Sequence, residues 1–132
     1  MKQYVIDASA LALALINRSE NSVELRQRLL SMHLHAPHFV DAELGNVLRR
    51  HEIGGLVSPV EADAARLAGT TLVRHRYEHV GALATAAWAL RHNLTFYDGL
   101  YAALAGLLDV PLLTADKRLA KSPGLPCEVE VV

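Results

Sequence analysis

The sequence predicts an α/β fold of three layers, a short central, mostly parallel sheet with helices on both faces. Two observations carry this reading. Short apolar runs such as "QYVID" and "VPLLT" alternate with longer amphipathic runs such as "ENSVELRQRLLSM", and apolar strands separated by helices form a parallel sheet covered on both sides. The chain has 132 residues, 52% of them apolar and 20% charged. That supports one sizeable core but not two, so residues 1–132 are expected to form a single domain.

Taken in order, "QYVID" reads as a buried strand and Ala8 onward as a helix rich in Ala and Leu. Residues 20–32 repeat apolar positions at Val23, Leu25, Leu29 and Leu30 with charges between, which predicts an amphipathic helix. "LHAP" is a second short strand closed by Pro37. In "FVDAELGNVLRRHEI" a stripe of Val40, Leu44, Val47 and Leu48 predicts a helix that Gly54 and Gly55 end. Ser58 and Pro59 form a strong start signal for the helix "SPVEADAARLAGTTL". The basic segment "VRHRYEHV" has room for a short strand, and "GALATAAWALRHN" reads as a helix capped by Asn93. The remainder reads as "LTFYD" (strand or turn), "GLYAALAGLLD" (helix), "VPLLTAD" (strand), "KRLAKSPG" (short helix) and "PCEVEVV" (strand). The chain shows no internal repeat, low-complexity tract or linker.

Charge and cysteine content narrow the function classes only modestly. The net charge of −1 singles out no polyanionic or membrane partner, although a local basic patch can exist within such a total. The single cysteine, Cys127, forms no internal disulfide, which suits a reducing compartment. The apolar start "ALALALI" imitates a secretory signal, but Asp7 interrupts it and "ASA" precedes most of the apolar run. No run approaches the ~20 residues of a membrane span, and a cytoplasmic protein is expected.

Three aspartates draw attention to one edge of the expected sheet. Asp7 ends the first strand, Asp98 follows "LTFY" and opens a helix, and Asp116 follows "VPLLT". The C-terminal ends of parallel strands are where such folds bind ligands. Asp is also a favoured helix cap, yet Ser, Thr or Asn caps as well, and capping leaves the apolar approach to Asp7 unexplained. Glu43 is a fourth candidate, one position before Leu44, with Asn46 and Arg50 on its helical face; Asp41 reads as a helix-start residue. Converging carboxylates repel and some stay protonated unless a cation intervenes. Oxygen ligands without Cys or His point to Mg²⁺ or Mn²⁺, and such ions activate water for attack on phosphorus. The residues thus indicate metal-dependent phosphoryl transfer or phosphodiester hydrolysis.

With "YVIDASAL", "AELGNVLRR", "LTFYDGLYAALAGLLDVPLLTADKRLAK" and "CEVEVV", the chain resembles the PIN-domain ribonucleases, and more closely the VapC toxins of toxin–antitoxin pairs. The resemblance implies that Asp7, Glu43, Asp98 and Asp116 are the catalytic acids. Asp7 and Asp98 would be the main metal ligands, Glu43 and Asp116 would complete the site, and Ser9 and Thr114 would be hydroxyls beside them. It further implies cleavage of single-stranded RNA by metal-activated water. The implied partners are a VapB-type antitoxin, seated in a groove between apolar helices such as "ALALALI" and "VELRQRLL", and a second copy in a homodimer. The segment 56–80 matches no motif of the family.

Around this centre, "RRHE" (49–52), "RHR" (74–76), Lys117, Arg118 and Lys121 are candidate RNA-binding cations. His33, His35 and His38 make a poor zinc set, because Pro37 interrupts them and no cysteine assists. Trp88 is expected in the helix-packing core rather than on a base-stacking surface, and Tyr101, three residues after Asp98, is expected either to face the site or to pack half-buried. Competing readings fare less well. A receiver domain needs an acidic pair at the first strand, and an aspartyl phosphatase needs an acid where Ser9 stands. The remaining alternative is a catalytically silent PIN-like module that binds RNA or protein.

Overall fold

The structure is a computed structural model that describes residues 1–16 and 18–132. The first half runs β1 (Lys2–Ile6), α1 (Ala8–Ile16), α2 (Glu20–Leu30), β2 (Met32–Pro37), α3 (Val40–Ile53) and α4 (Pro59–Leu72). The second runs β3 (His75–Tyr77), α5 (Ala82–Trp88), α6 (Phe96–Leu108), β4 (Leu112–Thr114), α7 (Lys117–Ala120) and β5 (Val129–Val131). The five strands form one sheet in the order β3-β2-β1-β4-β5, and every pairing is parallel. The expected three-layer sandwich is therefore present, with a sheet that is wholly rather than mostly parallel.

Strand order explains where a site can lie. The chain moves outward from β1 to β2 to β3, then returns to the other side of β1 to lay down β4 and β5. With right-handed crossovers, the reversal puts α1–α4 on one face and α5–α7 on the other. Packing agrees, since α1 contacts α2, α3 and α4 while α6 crosses β1, β2 and β4 beneath α5. The change of direction falls between β1 and β4, the topological switch point at which open parallel sheets bind ligands. Val5, Ile6, Leu34, Leu112 and Leu113 are fully buried between the layers, each burial contributing about 1.5–3 kcal/mol.

Local signals set most helix starts. Ser58 and Glu61 form a reciprocal capping box at α4 with Pro59 in the first turn. Thr95 caps α6 by accepting from the Asp98 N–H at 3.1 Å. That cap changes the reading of "LTFYD": no strand forms there, Phe96 already lies in α6, and Asp98 sits in the helix's first turn rather than at a strand end. The helix expected over 81–93 ends at Trp88, and Asn93 does not cap it. Trp88 is 57% exposed instead of being core. The apolar positions of α5 that pack inward are Leu83 and Ala87, and the indole lies off that face. Gly99 permits this layer to close, because a Cβ there would stand 3.1 Å from the Ala87 carbonyl oxygen.

α6 ends on Asp109, whose left-handed backbone (φ 54°, ψ 48°) is unusual for a residue with a side chain. Replacing it by glycine relieves that conformation and removes a negative charge from a helix C-terminus. Asp109→Gly is expected to raise stability by about 0.5–1 kcal/mol, read as a later midpoint in urea with unchanged slope. A lower midpoint would show that the Asp109 side chain has a stabilising contact of its own.

Candidate active site

Asp7 leaves β1 at the switch point and is 6% exposed. Its Oδ1 accepts from the Ser9 hydroxyl at 2.6 Å and from the Ala10 N–H at 2.9 Å, which makes Asp7 the N-terminal cap of α1 as well. Its Oδ2 accepts from the Thr114 hydroxyl at 2.5 Å. Thr114, the last residue of β4, in turn accepts from the Asp116 N–H at 3.0 Å, and Ser9 accepts from the Ala115 N–H at 3.0 Å. The two hydroxyls thus stitch the ends of β1 and β4 together around one carboxylate.

The other acids arrive from different layers. Glu43, in the first turn of α3, accepts from the Tyr101 hydroxyl at 2.7 Å, so α6 and α3 are joined across the sheet edge. Asp116 caps α7, accepting from the Arg118 N–H at 2.9 Å. Its role as a cap and its place beside the other acids coexist. Burial raises the Asp7, Glu43 and Asp98 carboxyls above the usual carboxylate range, opposed at Asp7 by its three hydrogen bonds. Their mutual charge adds to the rise: Asp98 acts on Asp7, Asp7 and Asp98 on Glu43, and Asp116 on Asp98. Two cations oppose it, Arg50 at Glu43 and Arg118 at Asp98. Tyr101 is held far into its neutral form by burial and by the Glu43 charge, so it serves as a hydrogen-bond donor.

Among the described residues, no Lys, Arg or His forms an ion pair with Asp7, Glu43 or Asp98. One buried carboxylate, Asp7, beside the half-buried Glu43 and Asp98 with no ion-paired cation suits a hard divalent ion, and every donor here is oxygen. The residues therefore fit Mg²⁺ in chemistry and charge. Among the described residues no three His, Cys, Asp or Glu side chains converge closely enough to hold one ion as they stand, so direct ligation by three of them requires side-chain movement.

The remaining candidates separate clearly. Asp41 binds Arg76 through two hydrogen bonds of 2.6 and 2.8 Å, a helix-start role that also removes Arg76 from the set of free cations. Arg49, Arg50, Arg74, Lys117, Arg118 and Lys121 are exposed. His35 spends both ring nitrogens on Tyr77 and Gln3, and His38 lies outside β2. The resemblance implies an antitoxin groove between apolar helices such as α1 and α2, where Leu15, Ile16 and Arg26 line a cleft. A larger cleft of about 960 Å³ runs from Ser9 and Ala115 along Leu13 and Ile16 of α1 to Val47, Leu56 and Val57 on α3 and the turn before α4. Sequence reasoning missed that turn, because its apolar residues show no periodicity.

Residues 4–125 match the PIN-domain family. Over 132 residues the chain is 47% identical to Ribonuclease VapC1 of Mycobacterium tuberculosis, covering 100% of this chain and 99% of that one. The chain belongs to the PIN-domain family, among the VapC proteins. This VapC-family chain is also 37% identical to Ribonuclease VapC9 of the same organism over 128 residues, 97% of each protein. Its fold matches that of VapBC2 from Rickettsia felis, crystallised on a DNA fragment from its promoter, with a TM-score of 0.72 over 98% of both chains at 13% identity.

Because burial raises the Asp7 carboxyl, the folded protein keeps that proton to higher pH than the unfolded chain does. Its effect on stability is favourable below the unfolded value near 3.9 and is lost as pH rises through the folded value. Asp7→Asn retains the acceptor for Ser9 and Ala10 without the charge. In metal-free buffer it is expected to be about 1 kcal/mol more stable than wild type at pH 7, with the gain gone below about pH 4. Urea unfolding at both pH values measures this; a gain independent of pH would contradict it.

Proposed function

We propose that this VapC-family chain is an Mg²⁺-dependent endoribonuclease toxin that hydrolyses phosphodiester bonds of single-stranded RNA and is neutralised by a cognate VapB-type antitoxin. The observation that carries the reading is the buried carboxylate of Asp7, without an ion-paired cation among the described residues, beside Glu43, Asp98 and Asp116 at the switch point. Asp7 and Asp98 would hold the ion, Glu43 and Asp116 would complete its shell, and Mn²⁺ would substitute. When bound, the ion supplies charge neutralisation and a lowered pKa for water.

The chain's own residues prepare that chemistry. Ser9, Ala10 and Thr114 hold the Asp7 carboxylate in place at the end of β1. Tyr101 fixes Glu43 by donating to it and stays neutral while doing so. The Arg118 side chain, 94% exposed beside Asp98 and Asp116, is placed to meet an RNA phosphate. Water is the nucleophile, so its oxygen joins phosphorus as the bond to the 3′ oxygen breaks, leaving a 5′-phosphate and a 3′-hydroxyl. An antitoxin segment would occupy the cleft along Leu13, Ile16, Val47 and Val57, which opens beside Ser9 and Ala115 at the acidic edge. Support for that partner comes from the fold's likeness to VapBC assemblies.

The test is cleavage of an RNA panel by purified protein with Mg²⁺, Mn²⁺ or EDTA, beside Asp7→Asn. Cleavage should require the metal and fall at least about 100-fold in the variant, the scale on which a metal site's key ligands act. Equal cleavage by both proteins would refute the assignment of the site. Absence of cleavage across ribosomal, transfer and messenger RNA would instead favour a silent binding module.

A further inference from the structure

The rings of Trp88, Phe96 and Tyr97 stand at the junction of α5 and α6, exposed by 57%, 37% and 64%. Exposed aromatics scattered singly need no explanation, but Trp88 and Phe96 are in ring contact, and Tyr97 follows Phe96 in the chain. The Trp88 and Phe96 rings meet edge to face with centroids 6.4 Å apart, and Tyr97 lies 5.4 Å from Phe39. The group also reaches the acids. Tyr97 directly precedes Asp98 in the first turn of α6, and Phe39 packs 5.2 Å from Tyr101, the residue that holds Glu43.

Charge decides what such a surface suits. The Arg91 guanidinium sits 5.0 Å over the Trp88 ring, and Arg118 acts on Asp98 at the other end. Flat apolar faces bracketed by guanidinium groups complement a ligand that offers both flat rings and phosphates. A single strand presents its base faces, whereas a duplex hides them within its stack.

We propose that Trp88, Phe96 and Tyr97 form a ledge on which bases of single-stranded RNA stack beside the acidic site. The proposal rests on the ribonuclease reading and deepens it: base stacking tolerates any sequence, so the ledge selects unpaired RNA rather than a particular motif. It also gives a physical reason for an indole on the surface of a chain that has a single tryptophan.

That single tryptophan makes the test direct, since all indole emission comes from the ledge. The Asp7→Asn protein is titrated with a mixed-sequence single-stranded RNA pool and with an abasic ribose-phosphate polymer of equal length. The base-bearing strands should quench emission and the abasic polymer should not. Phe96→Ala should weaken binding about tenfold and Phe96→Tyr should restore it. With wild-type Asp7, Phe96→Ala should raise KM about tenfold and leave kcat within about twofold. RNA cleaved by wild type without any quenching would overturn the ledge and leave the ribonuclease reading intact. Equal quenching by both polymers would assign the effect to phosphate contact and overturn stacking. An emission change with protein concentration alone would assign the surface to a second copy. Neither cleavage nor quenching by any RNA would overturn both readings.

Discussion

The buried carboxylate of Asp7 is the constraint on which this structure turns. An ionised group taken out of water costs several kcal/mol unless it is satisfied, and among the described residues no cation forms an ion pair with it. The fold offsets part of that cost with the Ser9 and Thr114 hydroxyls and the Ala10 N–H. These donors come from two elements: Ser9 and Ala10 because α1 starts at once after β1, Thr114 because β4 pairs with β1 in parallel register. Moving β4 by one residue would turn Thr114 away from the site.

A parallel sheet also explains how acids distant in sequence come together. The C-terminal ends of β1 and β4 lie side by side, and the loops leaving them carry Asp7 and Asp116. Glu43 comes from the layer of α1–α4 and Asp98 from the layer of α5–α7, so the site draws on both faces of the sandwich. The hydrogen bond from Tyr101 to Glu43 is the link between those layers at the edge. Away from the centre, Arg76 pairs with Asp41 and Arg28 with Glu130.

Much of this was legible in the sequence because it rests on local chemistry. The capping box of Ser58 and Glu61, the strand-to-helix turn at Asp7 and the amphipathic stripe of α3 are all short-range signals. Residues misread from sequence were those whose environment depends on distant partners. Phe96 and Tyr97 look like strand residues by composition, yet the Thr95 cap starts a helix beneath them. Trp88 looks like core by size, yet small residues fill the α5–α6 contact, where Gly99 meets Ala87 closely enough to exclude a ring.

The sequence by itself therefore determined the fold class and the alternation of strands and helices and marked four acids as candidates, because periodicity, capping and residue chemistry act over a few positions. Tertiary structure alone decided the strand order that places β4 against β1, the pairing of Asp41 with Arg76, the Tyr101–Glu43 bond and the exposure of Trp88. Each of these depends on residues brought together from far apart in the chain, and no local pattern encodes which distant surface a side chain will meet.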